Sequence, residues 1–213
     1  FTDQDRWGDS NALLNIFDYS GEVTQRLTLD DSQRRRMLEA DGYFFFLDPT
    51  QSADEQAKEL VDFAEDVRIV RQLKSGQPMR APVALCVSKI DLLRLQAYAD
   101  PDGGGPVGKF YDELQDCDTG RKISRAGIQR RSKLVEELRH TIWPGWQIEK
   151  QIEKLFGGRF MYFPLTSVGL SDMEDVDTAN PTELRNRTIA PRWILEPFMW
   201  LLDMNGYRVF NDE

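Results

Sequence analysis

The sequence predicts a three-layer α/β domain: a mostly parallel sheet with helices on both faces. Three observations predict it. Four short apolar runs, Leu13 to Phe17, Tyr43 to Leu47, Val83 to Val87 and Phe160 to Leu165, are continuous rather than alternating. That pattern suits strands covered on both faces. Segments with helical apolar spacing separate the runs, and strand alternating with helix implies crossover connections between parallel strands.

The helices follow in order. Leu29 to Ala40 is read as helical, with Gly42 just beyond it. Ala53 to Lys74 carries Ala57, Leu60, Ala64, Val67, Val70 and Leu73 at helical spacing. Ser52 and Glu55 form an S-x-x-E capping box at its start, and Gly76 follows its end. Ile128, Leu134, Val135, Leu138 and Ile142 make the next stripe, broken by Pro144-Gly145. Ile148, Ile152, Leu155 and Phe156 make a shorter one, stopped by Gly157-Gly158. A last helix is expected between Pro191 and Asn205, with Pro197 delaying its start or kinking it and Gly206 as its cap. Asp100 to Gly108 and Asp172 to Pro181 read as loop insertions decorating a single domain over residues 1–213.

Composition narrows the function classes. The chain has 213 residues, 27 Lys+Arg against 36 Asp+Glu, and a formal net charge of −9. This acidic balance argues against direct nucleic-acid binding, whose footprint is usually basic. Two cysteines, Cys86 and Cys117, cannot make a disulfide framework. Cys86 reads as a buried small hydrophobe and Cys117 as a spectator thiol. No run approaches the ~18 apolar residues of a membrane span, and no signal peptide opens the sequence, so a cytoplasmic location is expected. None of the six Met is residue 1, which raises the expectation of a segment upstream.

In parallel α/β sheets ligands bind beyond the carboxyl ends of the strands, so the residues after each run carry the functional reading. After the first come Asp18-Tyr19-Ser20-Gly21-Glu22. A carboxylate there can hold a metal-bound water, and a glycine three residues on lets its N–H approach a phosphate. After the third come Ser88-Lys89-Ile90-Asp91. An Asp at this place can accept two hydrogen bonds from the N1–H and exocyclic amine of guanine, and a base lacking those donors leaves it unpaired. After the fourth come Thr166-Ser167-Val168-Gly169, small hydroxyls and backbone amides able to support a base carbonyl. Each of these alone reads more readily as a polar turn after a strand.

Their order and strand context agree, and together they resemble the Ras-like P-loop GTPases. Phe17 to Glu22 resembles the D-x-x-G switch segment, Leu85 to Asp91 the N/T-K-x-D guanine motif, and Pro164 to Val168 the base-supporting loop. The resemblance runs from about residue 12 to about residue 205. It implies binding of GTP and GDP with Mg²⁺, a role as a GTP-hydrolysing switch, and a protein partner. Asp18 would hold the metal through water, and Gly21 would sense the γ-phosphate. Glu22 stands where many members carry the water-positioning Gln. Ser88, Lys89 and Asp91 would read guanine, and Thr166, Ser167 and Val168 would support the base. Ser88 itself replaces the usual Asn or Thr.

One part of the pattern is absent. The family's phosphate loop, G-x-x-x-x-G-K-[ST], belongs about 50 residues before the D-x-x-G segment, but only 17 residues precede Asp18 and none fits. Gly103 to Phe110 matches G-x-x-x-x-G-K, but Phe110 replaces the hydroxyl ligand and no strand precedes it, so it reads as a decoy. By the resemblance, a strand is also missing between those ending at Phe17 and Leu47. The expectation is that an upstream segment or another chain completes the sheet and supplies the phosphate loop. The alternative is a pseudo-GTPase that acts as an interaction or assembly module without nucleotide.

Other features read more simply. Arg34-Arg35-Arg36 and the basic stretch 121–133 are expected to be solvated helix faces. Asp172, Glu174, Asp175 and Asp177 miss the Ca²⁺-loop spacing. His140 is the only His, which excludes a His-rich metal site. Trp193, Phe198, Trp200 and Leu201 are expected to pack the last helix on the sheet. Asp48-Pro49-Thr50 resembles a phosphatase aspartate loop only faintly, since the second Asp is missing.

Overall fold

A computed structural model of the chain describes residues 31–74, 76–93, 108, 110, 113–114, 123–145, 148–167 and 191–210. The run Leu13–Phe17, both acidic and Gly-rich insertions apart from Gly108, and Cys117 lie outside the described residues. The elements are α1 (Asp31–Leu38), β1 (Tyr43–Leu47), α2 (Ala53–Val70), β2 (Val83–Val87), α3 (Arg125–Ile142), α4 (Ile148–Phe156), β3 (Phe160–Pro164) and α5 (Leu195–Met204).

The three strands form one parallel sheet in the order β1-β2-β3. The register is unstaggered: Tyr43 lies opposite Val83 and Val83 opposite Phe160, while Leu47, Val87 and Pro164 align at the other end. Asp48, Ser88 and Leu165 therefore leave the sheet side by side. Among the described residues β1 is paired on one side only. Its Phe46 is 62% exposed, whereas all five residues of β2 are buried.

The period-2 geometry of a strand sorts the core. Val83, Leu85 and Val87 join Leu60, Ala64 and Val67 of α2 and Ile152 and Phe156 of α4 in one cluster. Ala84 and Cys86 face the other way, into a cluster with Phe163, Trp200, Leu201 and Phe210. Helices thus cover both faces, with α3 packed along β3 and contributing Val135 and Leu138 to the first cluster and Ile128 to the second. Tilted ring contacts of Phe44 with Phe198 (4.5 Å) and of Phe163 with Trp200 (5.6 Å) seat α5, as its aromatic composition foretells. Burial pushes the Cys86 thiol pKa up, so this cysteine is an inert part of the core.

Several boundaries are tighter than the apolar pattern suggests. α2 stops at Val70 rather than Lys74, because Gln72 adopts a left-handed φ of 54° and the N–H of Leu73 closes back on the Arg68 carbonyl at 3.0 Å. At its start the Glu55 N–H donates to Ser52 Oγ at 3.5 Å. α1 ends at Leu38 rather than Ala40. α5 begins at Leu195, not Pro191: Arg192 is in extended pairing with Thr166, and Trp193 then turns with a left-handed φ of 60°. Pro197 falls within the first helical turn, where its missing N–H costs no intrahelical bond. Gly108 is helical rather than part of a loop and Phe110 is a buried core residue, while residues 103–107 and 109 of the G-x-x-x-x-G-K match lie outside the described residues.

The basic stretch 121–133 is not uniformly solvated. Arg131 is buried and pairs bidentately with buried Glu196 of α5, at 2.5 and 3.0 Å. It sits between Ile128 and Val135 on the inward stripe of α3, so its guanidinium has nowhere to go but the α3–α5 contact. Arg125 adds a second pair across the same contact, to Asp203 at 2.8 Å.

Candidate functional site at the carboxyl edge of the sheet

Three loops leave the aligned strand ends together. From β2, the Ser88 N–H and hydroxyl both donate to the Leu47 carbonyl, at 2.9 and 3.1 Å. They stitch the end of β2 to the end of β1. Lys89 then takes a left-handed φ of 52°, which reverses the chain into a helical turn at Ile90–Leu93. On the other side the Leu165 N–H donates to Val87 (2.9 Å) and the Ile90 N–H to Leu165 (3.3 Å), which fixes the turn against β3.

This backbone sends the two charged side chains of the turn apart. Asp91 is only 5% exposed, and its Oδ1 accepts the Thr166 hydroxyl at 2.7 Å. Thr166 is itself fully buried, and its carbonyl accepts the Arg192 N–H at 3.0 Å. The bond orients the Asp91 carboxylate. Lys89 leans the other way, and its ammonium meets Asp48 Oδ2 at 2.7 Å. Ser167 follows Thr166 at the exposed rim.

Asp48, which the phosphatase comparison set aside, is therefore part of this edge. Its Oδ1 accepts the Thr50 N–H at 2.9 Å and the Thr50 hydroxyl at 2.7 Å. Its backbone is clamped by the buried amide of Gln56, which accepts from the Asp48 N–H (2.6 Å) and donates to the Asp48 carbonyl (3.1 Å). Burial opposes ionisation of Asp48, but the Lys89 ammonium and the Thr50 donors outweigh it and hold the carboxyl below its usual value. The signal for Asp48 was its place: it is the first residue after an apolar strand, as Asp18 is.

The structure thus brings together Ser88, Lys89, Asp91, Thr166 and Ser167, from sequence positions up to 79 apart. Asp18, Gly21, Glu22 and Val168 lie outside the described residues. Among the described residues no group of three or more His, Cys, Asp and Glu side chains is set to hold a metal ion. Nor is any described helix long and apolar enough to cross a membrane. What the edge can do chemically is present an oriented carboxylate to paired N–H donors, beside a lysine stem. No family model, curated protein or solved structure matches the chain.

Proposed function

We propose that this edge is the base-reading half of a guanine-nucleotide site in a Ras-like P-loop GTPase domain. The observation that carries the reading is the Thr166–Asp91 bond: the loop after β3 orients the carboxylate that follows β2. A buried, oriented carboxylate selects a ligand offering two adjacent N–H donors and rejects one that leaves it unpaired. Guanine offers that pair. Lys89 supplies an apolar stem beside it, and Ser167 and Val168 supply the rim that supports the base.

Hydrolysis of GTP to GDP would fall to the other half of the site. Asp18, Gly21 and Glu22 are its residues in this chain, with the phosphate loop supplied by an upstream segment or another chain. Asp18 is the residue that would hold Mg²⁺ through water; the metal, when bound, neutralises phosphate charge. The one-sided pairing of β1 among the described residues supports a sheet that continues past it.

The test is titration of labelled GTP and ATP into the full chain. Guanine preference that is lost on Asp91→Ala is the expected result. Equal binding of the two nucleotides, or binding untouched by Asp91→Ala, sinks the proposal.

A second reading, a pseudo-GTPase serving as an interaction or assembly module, draws on exposed Phe46. An exposed aromatic on a strand that is paired on one side among the described residues is a surface that a protein partner can cover. It predicts no nucleotide turnover. GTP hydrolysis abolished by Asp18→Ala would rule it out.

A further inference from the structure

Lysine is a poor platform when free, because a four-carbon stem has many rotamers and fixing them costs conformational entropy. In this chain the stem is not free at its far end. The Lys89 ammonium is held at 2.7 Å by Asp48 Oδ2, although the side chain is 52% exposed and has room to turn elsewhere. The carboxylate that holds it is braced unusually well for a strand-end residue. Two Thr50 donors fix its other oxygen, two Gln56 bonds fix its backbone, and only 13% of its side chain is exposed.

The direction matters as much as the tether. Asp91 is drawn toward β3 by Thr166, and Lys89 is drawn toward β1 by Asp48. The lysine methylenes are therefore stretched along the carboxyl edge from β2 to β1. We propose that Asp48 is a positioning residue of the base site. By anchoring the Lys89 ammonium at the end of β1, it lays the lysine stem out as a preformed apolar platform for the purine ring whose edge Asp91 reads. The proposal rests on the guanine reading of Asp91 and adds to it a residue from a third strand end.

The test is a double-mutant cycle in the full chain, with Asp48→Asn and Lys89→Met, which keeps most of the stem but removes the charge. GDP is the probe, ADP the control, and binding is read by saturation-transfer NMR. Asp48→Asn is expected to weaken GDP binding about fivefold to tenfold in the Lys89 background and to have no further effect in the Lys89→Met background. Asp48→Glu, which keeps the charge, should recover most of the affinity. Thermal melts of the same proteins separate a binding effect from loss of fold.

Equal losses in both backgrounds, or none in either, overturn the positioning role. That failure is distinct from failure of the base reading, which would appear in the unsubstituted chain as no preference for GDP over ADP and would overturn the platform with it. A purely structural Asp48 would lower the melting temperature without producing coupling to Lys89 in GDP affinity.

Discussion

Two ion pairs in this chain have opposite characters. Arg131–Glu196 lies between α3 and α5, bidentate, with side chains 5% and 4% exposed. Lys89–Asp48 lies on the carboxyl edge, with its lysine half in solvent and a single contact between the charged groups. The first is closed: it is buried between two helices and held by two hydrogen-bond contacts. The second is open on the side where a ligand would come. Burial separates the two pairs: one joins α3 to α5 out of solvent, and the other stands half exposed at the ends of β1 and β2.

The largest expected effect is on the closed pair. Glu196→Ala leaves the Arg131 guanidinium buried without its bidentate carboxylate and should cost about 3–5 kcal/mol of stability, read from urea midpoints. Replacing both partners with apolar residues, Arg131→Met with Glu196→Leu, should recover most of that loss, because two desolvated charges are removed together. A loss below about 1 kcal/mol for Glu196→Ala would put this pair in the same class as an exposed one and erase the contrast.

Next is the bond that orients Asp91. Thr166→Val keeps the shape but removes the donor, leaving a buried carboxylate short of one hydrogen bond. The expected loss is about 1.5–3 kcal/mol in stability, the range for hydrogen bonds to charged groups, together with loss of guanine preference. If stability falls but the ratio of GTP to ATP binding does not change, Thr166 braces the fold and not the carboxylate. That result would move Asp91 to the structural side of the comparison.

Legibility in the sequence followed the same division. β2 was plain because five apolar residues in a row admit few readings, and β3 nearly so. Asp91 and Thr166 were legible because each follows a strand, and the parallel-sheet rule says where to look. Arg131 was not, because a basic run reads as solvated until its partner is known, and Glu196 lies 65 residues away. A sharper signal was present: Arg131 stands on the same stripe as Ile128, Val135 and Leu138, and Glu196 lies among Trp193, Pro197 and Trp200. Two opposite charges on two apolar stripes are candidates for each other. Asp48 was missed for a different reason. Its partner is 41 residues on, and the Gln56 that clamps it reads in sequence as one more polar residue on an amphipathic helix. Helix ends were least legible, since Gln72 and Trp193 take left-handed conformations that sequence patterns assign to glycine.

The smallest expected effect on stability belongs to the open pair, and its pH dependence identifies it. Burial tends to raise the Asp48 pKa, but Lys89 and Thr50 lower it further, so the folded value lies below the unfolded value of about 3.9. A group depressed in this way contributes stability that is fully present above the unfolded pKa. The contribution is lost as pH falls through the folded pKa. With Lys89 half exposed, solvent screening keeps it under about 1 kcal/mol. Asp48→Asn should therefore be slightly less stable than the unsubstituted chain near neutral pH, with the gap closing well below about pH 3.9. Added salt should narrow it at neutral pH and leave the Glu196→Ala gap nearly unchanged, because buried charges are screened far less. A gap that persists in acid would assign the loss to the two Thr50 hydrogen bonds rather than to the ion pair. A gap that closes, accompanied by a fivefold or larger loss of GDP affinity at neutral pH, would show that Asp48 contributes more to the ligand than to the fold.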